Sequence, residues 1–186
     1  FRVIKTPQNT NTEIGIASFI LKTDFNGIDV FVVEMGAYKI GEIKMICDMV
    51  KPSIGILTAI TGQHLALFGN ITQTQKAKYE LLRSLPLNGL AVVNIDNKYC
   101  REFLHELKTN VVTFGVDNEL SPTCLIKDVT TTTDGIACSG LIDNKLWSLT
   151  TPLVGAHNAV NLAPCLLVAH HLGMNDAEIV EQCRTL

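Results

Sequence analysis

Basic charge is scarce in this chain. Lys and Arg number 15 against 18 Asp and Glu, a net charge of −3, whereas extended nucleic-acid binders carry a basic stripe. Long apolar runs are missing too. The longest, at 15–21 and 163–169, fall far short of the roughly 18–20 residues of a membrane-spanning helix. Cys47, Cys100, Cys124, Cys138, Cys165 and Cys183 form no C-x-x-C pair. That argues against a disulfide framework or zinc site and for buried thiols in a reducing compartment. Neither G-x-x-x-x-G-K-[ST] nor G-x-G-x-x-G occurs, so the chain as given lacks a phosphate cradle. No charged-then-apolar leader opens it, and no signal peptide is expected. Phe1-Arg2-Val3-Ile4 reads as the inside of a strand, which leads us to expect a piece cut from a longer protein.

What is present is a core-rich sequence. Its 186 residues are 47% hydrophobic and 18% charged, with mean hydropathy +0.25, enough for one domain with a sizeable core. Periodicity predicts strands over 2–5, 28–34, 53–60, 90–95 and 110–115. The 28–34 run is apolar and β-branched, as in a strand buried on both faces. Helices are predicted over 12–22, 41–50, 71–85 and 98–108, so strand and helix alternate as in a parallel sheet covered by helices. Beyond Gly115 three short strands, 123–132, 135–142 and 145–151, read as an antiparallel meander turning at Asp134-Gly135 and Asp143-Asn144. Two helices, about 156–172 and 176–184, close the chain around the Gly173 stop signal. The fold class is therefore α/β, a mostly parallel sheet flanked by helices with a small antiparallel β appendage, without repeats or linkers.

Ligands of open α/β sheets bind outside the carboxyl ends of the strands. Three predicted strands end there in polar residues: Glu34, the Thr61-Gly62-Gln63-His64 loop, and Asn94-Ile95-Asp96. On the 71–85 helix, Ile71, Gln75, Lys78, Leu82 and Leu85 recur at helical spacing. This sets Lys78 on the core-facing stripe, with Lys76 and Arg83 on the opposite side. A buried lysine is costly unless paired or chemically altered; a side chain reaching out to water is the simpler alternative. The functional reading aims Lys78 at an anionic or metal-containing site beside Glu34 and His64, whose oxygen and nitrogen suit a divalent ion. His105, His170 and His171 read as surface or packing residues. His157 and Asn158 precede a helix, with Asn161 a turn later; N-capping by Asn is the plain alternative. Pro164 costs little only within a first turn, so it predicts a helix starting near 160–161, with His157 and Asn158 in the loop before it.

Several segments are similar to one family. Val33-Glu34-Met35-Gly36-Ala37, followed by Gly41-Glu42-Ile43, resembles the "VEMGA…GEI" segment of the Mur ligases. Residues 58–69 (TAITGQHLALFG) with Lys76-Ala77-Lys78-Tyr79-Glu80 resemble their "H-L-x-x-F-G…A-K-x-E" segment. Val93-Asn94-Ile95-Asp96 resembles the "N-x-D" strand end, and Gly155-Ala156-His157-Asn158-Ala159-Val160-Asn161 the "G-x-H-N-x-x-N" helix entry. Residues 6–15 (TPQNTNTEIG) resemble the "T-x-G-N-x-N-N-x-I-G" loop. The motifs run in family order from about residue 3 to the end and are most similar to the MurF-type branch.

The resemblance implies a P-loop-ATPase-like central domain of a three-domain, cytoplasmic ligase of peptidoglycan precursor synthesis. Residues 1–186 would be part of that ATP-binding domain, without its phosphate loop, its N-terminal UDP-substrate domain or its C-terminal ligase domain. ATP would phosphorylate a substrate carboxylate, and an amine would attack the acyl phosphate, joining D-Ala-D-Ala to UDP-MurNAc-tripeptide. Glu34 and His64 would bind Mg²⁺, and Lys78, carbamylated by CO₂, would help hold a second ion. Asn94, Asp96, His157, Asn158 and Asn161 would line the nucleotide pocket, with Asn9 and Asn11 near the reacting phosphate or substrate. The partners implied are these small molecules, with no nucleic acid or membrane, and a monomer. Gln8 replaces the family's Gly, Ala66 stands where an acidic residue commonly follows the His, and Pro164 interrupts an Ala-rich run. The alternatives are another ligase of the superfamily, of folylpolyglutamate-synthase or cyanophycin-synthetase-like type, or a non-catalytic module binding nucleotide or a partner.

Overall fold

The computed structural model describes residues 1–62 and 70–186; Gln63 and His64 of the expected loop lie outside them. The chain divides into two compact units, Phe1–Pro52 with Ile60–Leu85, and Ser53–Ala59 with Pro86–Leu186.

In the first unit β1 (Val3–Lys5) and β2 (Val30–Val32) pair in parallel, Ile4 opposite Phe31. The crossover between them carries α1 (Glu13–Lys22), opened by Thr12, whose side chain accepts the Gly15 N–H. Phe31 stacks on Phe19 at 5.9 Å and meets Phe25 edge-on at 5.0 Å. The 28–34 run is not buried on both faces as expected: β2 is three residues long and Val32 is 50% exposed. A two-stranded sheet with aromatic packing around Phe31 gives the alternate residues no second layer among the described residues.

Helix α2 (Glu42–Val50) buries Ile43, Ile46 and Cys47, an i, i+3, i+4 stripe. It ends at Lys51, whose φ of 49° is left-handed, immediately before Pro52. Helix α3 (Ile71–Arg83) is capped by Asn70, which accepts the Gln73 N–H at 3.0 Å. It packs on α2, and α2 on α1.

The second unit is built on a six-stranded sheet: β3 (Ile54–Leu57), β4 (Leu90–Asn94), β5 (Asn110–Gly115), β6 (Cys124–Thr132), β7 (Gly135–Ile142) and β8 (Lys145–Thr151), adjacent in that order. The first four are parallel and the last two pairings antiparallel. The expected meander is thus continuous with the parallel sheet, β6 lying beside the end of β5 through Phe114↔Cys124 and Gly115↔Leu125. Only the tail of β5 overlaps the head of β6, so a short connection suffices where full parallel pairing would need a long crossover. At the β7–β8 turn Asp143 and Asn144 have φ of 48° and 65°, the residue types that a type I′ hairpin tolerates.

Leu90, Ala91, Val92 and Val93 of β4 are all buried, the continuous apolar run of a strand covered on both faces. Helix α4 (Lys98–Arg101) packs on β4, and α5 (His157–His171) on β4, β5 and β6. Helix α6 (Asp176–Arg184) packs on β8 and α5. The core gathers Val92, Phe114, Ile126, Leu149, Leu162, Leu166 and Ile179.

Two helices depart from the sequence expectation. The helix predicted over 98–108 is one turn of α-helix followed by a 3₁₀ turn at Leu104–Glu106. Residues i and i+3 eclipse in a 3₁₀ turn, which sets half-buried Leu104 and Leu107 on one side. Helix α5 starts at His157 rather than near 160–161, so His157 and Asn158 are its first residues and Pro164 is interior. The Pro164 ring is buried in the apolar layer of α5, and that burial offsets the hydrogen bond proline cannot donate.

Candidate functional site

In the first unit two of the expected residues, Glu34 and Asn11, meet where β1 and β2 end. Thr6 continues the ladder, its N–H donating to Val32 O at 3.0 Å, and its hydroxyl accepts the Glu34 N–H at 3.3 Å. The Asn11 side-chain amide donates to Glu34 Oε1 at 3.1 Å, while Asn11 O accepts the Gly36 N–H at 2.8 Å. A Cβ on Gly36 would come within 3.2 Å of the Asn11 side chain, which would have to give by a few tenths of an ångström. Glu34 is exposed, and its Oε2 takes no hydrogen bond among the described residues. The result is a carboxylate fixed by one oxygen and open at the other.

Asn9 plays a different part. It sits in the turn closed by Thr10 N–H donating to Pro7 O at 3.0 Å, and its φ of 63° is the left-handed geometry that Asn tolerates best after Gly. No hydrogen bond ties it to Glu34 among the described residues. Lys78 lies on α3 between buried Ala77 and Tyr79, with Thr74, Gln75 and Leu82 completing the inward arc. It is half-buried, and among the described residues it makes no hydrogen bond or ion pair. Lys76 and Arg83 are exposed as the periodicity predicts. His64 lies outside the described residues.

In the second unit Asn94 ends β4, and its side-chain oxygen accepts the Asp96 N–H at 3.0 Å. The Asp96 carboxylate accepts the N–H groups of Val116 at 2.8 Å and Asp117 at 3.1 Å. Arg101 donates to Ile95 O at 2.9 Å and Asp96 O at 3.0 Å. A Cβ on Gly115 would lie 2.5 Å from Asp96 Oδ1, so the exit of β5 can close on the carboxylate only with glycine there. Asp96 therefore clamps the β4 and β5 exits together.

His157 opens α5 and lies over Gly155, whose φ is +100° and whose Cβ, if added, would be 2.7 Å from the ring. The Asn158 amide donates to Val154 O at 2.9 Å, and the Asn161 amide to Asn158 Oδ1 at 3.2 Å. The helix has no side-chain cap, so Asn158 ties the entry loop by donating rather than by N-capping. Cavities of about 350 and 440 Å³ in this unit border the meander and include none of these residues. Thr6, Arg101 and Gly115 carry the geometry of both clusters without having been singled out in the sequence. Their signals, a hydroxyl after a strand and a glycine at a strand end, are too common to stand out.

Comparison with known proteins adds to this geometry. A family model described as the Mur ligase middle domain matches residues 1–169. A UDP-N-acetylmuramoyl-tripeptide–D-alanyl-D-alanine ligase of Synechocystis is 32% identical over 93% of this chain, and its counterpart in Rickettsia prowazekii 27% identical over 96%. A UDP-N-acetylmuramoyl-L-alanyl-D-glutamate–2,6-diaminopimelate ligase of Chlamydia trachomatis is 30% identical over 71%. The chain spans 36% and 40% of the length of the first two relatives. Among solved structures, MurF of Acinetobacter baumannii superposes with TM-score 0.87 over 98% of this chain and 39% of its own, at 22% identity. MurF of Thermotoga maritima in complex with ADP superposes with TM-score 0.84 over 96% of this chain and 42% of its own, at 24% identity. At such identities the superpositions establish the fold.

Proposed function

This chain belongs to the Mur ligase middle-domain family, and from that premise we propose that it is the ATP-handling part of an amide ligase that joins D-Ala-D-Ala to UDP-MurNAc-tripeptide. The observation that carries the reading is Glu34, an anchored carboxylate with one open oxygen at a strand exit. Mg²⁺ suits such a donor. It is usually held by one or two carboxylates together with phosphates rather than by an all-protein cage, and among the described residues no three His, Cys, Asp or Glu side chains gather around a point. When bound, the ion supplies charge neutralisation at the transferring phosphoryl group.

Glu34 and His64 would hold the metal. Lys78 would join them as a carbamate: neutral Nζ bonds the carbon of CO₂ and releases a proton, leaving a carboxylate on the side chain. What supports this is its place amid the inward arc of α3, half-buried and making no ion pair among the described residues. Asn11 would orient Glu34 by holding Oε1. Asn94, His157, Asn158 and Asn161 would bind the nucleotide, and Asp96 would shape that pocket through the loop it clamps. Asn9 would act through its turn, near the phosphate. With ATP positioned, the tripeptide carboxylate takes the γ-phosphoryl group and releases ADP. The amine of D-Ala-D-Ala then attacks the acyl carbon, forming the amide and expelling phosphate.

The amine is supported by the Synechocystis relative, which matches more of this chain than the diaminopimelate ligase does. The test is ADP release and amide formation by the full-length protein with ATP, UDP-MurNAc-tripeptide and D-Ala-D-Ala, run beside UDP-MurNAc-dipeptide and diaminopimelate. Amide formation with the first pair is expected. Turnover only with the second would replace the substrate assignment, and ADP release with neither would overturn the ligase reading. Lys78→Ala is expected to lower turnover by about 100-fold or more and to abolish any stimulation by bicarbonate; full activity would refute the carbamate.

A further inference from the structure

Glu80 stands two residues beyond Lys78 on α3, and its carboxylate is engaged by the backbone of another helix. Oε1 accepts the Gly41 N–H at 2.6 Å and Oε2 the Lys44 N–H at 2.9 Å. Helix α2 begins just after Gly41, which has a φ of +99° and offers no side-chain cap. The first N–H groups of a helix lack intrahelical acceptors and carry its positive dipole end. A half-buried carboxylate from α3 supplies what α2 does not have.

The stretch between Glu34 and α2 is tied at two further points. Glu42 Oε2 accepts the Tyr38 N–H at 2.7 Å and the Lys39 N–H at 3.2 Å, folding the chain onto the first residue of α2. Nearer Glu34, the Gly36 N–H is held by Asn11 O. Residues 35–41 are thus fastened to Asn11 at one end and to Glu80 at the other. We propose that Glu80 is a positioning residue: it locks the segment leaving Glu34 in register with the helix that carries Lys78. Both of its oxygens already accept backbone N–H groups, so it acts through Glu34 and Lys78 rather than as a ligand. This rests on the reading of Glu34 and Lys78 as groups of the metal site.

The test compares Glu80→Gln and Glu80→Ala with Glu34→Gln in the full-length protein. In metal-free protein, hydrogen exchange at the Gly41 and Lys44 amides is expected to accelerate in both Glu80 variants. Mn²⁺ affinity, read by water-proton relaxation, and the Mg²⁺ concentration for half-maximal ADP release are expected to weaken by about 10-fold, the usual scale for groups that orient metal ligands. Accelerated exchange with wild-type metal affinity would overturn the proposal while leaving the metal-site reading intact. Should Glu80→Ala fail to fold, Glu80→Gln decides by the same two readouts. Wild-type metal affinity in Glu34→Gln would overturn both readings.

Discussion

Glycine and cysteine carry the sharpest consequences at the scale of single residues. The Asp96 carboxylate is pinned by two backbone N–H groups, so it cannot swing away from a methyl group placed 2.5 Å from it. Gly115→Ala is therefore expected to cost about 1–3 kcal/mol of stability, read from the urea midpoint. An unchanged midpoint would show that the clamp yields. Burial pushes the Cys124 thiol up to about 12, helped by nearby Cys138, and burial pushes Cys138 up to about 11. Unfolded thiols lose their protons near 8.5–9 while these folded ones keep theirs, so the unfolded state binds fewer protons above that pH. The stabilisation from the two neutral thiols is complete below about pH 8.5 and falls as pH rises towards 11–12. A urea midpoint that declines over that window, and less steeply in Cys124→Ala, is the expected result. At neutral pH, Cys165, exposed on α5, should react with a thiol reagent before the five buried cysteines.

Helix boundaries show how much of each element was legible in advance. Both hairpin strands after the meander's start, 135–142 and 145–151, the strand at 110–115 and the helix at 176–184 have the predicted limits. In each, turn or capping residues flank a clear apolar period. At α6 the Asn175 side chain accepts the Glu178 N–H while Glu178 answers to the Asn175 N–H, a capping box written plainly in the sequence. Asn175→Ala should cost about 1 kcal/mol, measured by chemical denaturation; no loss would place the stability of α6 in its packing alone. For α5 the sequence gives two answers: the apolar period sets its start at about 156, one residue from the observed His157, and Pro164 argues locally for a later one near 160–161. Burial of Pro164 in the helix outweighs that local preference. The 98–108 segment failed for the opposite reason: a weak apolar period suits an α-helix and a 3₁₀ turn equally.

At the scale of the molecule, no helix among the described residues is long and apolar enough to cross a membrane. The chain holds the anchored Glu34 and the helix of Lys78, and its sequence contains no G-x-x-x-x-G-K-[ST] cradle. Phosphoryl transfer depends on positioning and neutralising charge at all the phosphates together. The 186-residue chain by itself is accordingly expected to hydrolyse ATP no faster than buffer. ADP release above background from this chain alone would show that the cradle is dispensable.

Motif order and periodicity alone determined the family resemblance, the alternation of strand and helix, the meander, and Glu34 and Lys78 as candidates. These are local or short-range signals: residue type at a strand end, spacing on a helix, turn residues between apolar runs. Tertiary structure decided the rest. It placed β6 beside β5, turned Asn11 onto Glu34, set Asp96 against Gly115, and brought Glu80 to the head of α2. Those pairings join residues 10 to 39 positions apart. Only packing can choose among partners at that distance, because each hydrogen bond forms when the surrounding chain has already excluded the alternatives.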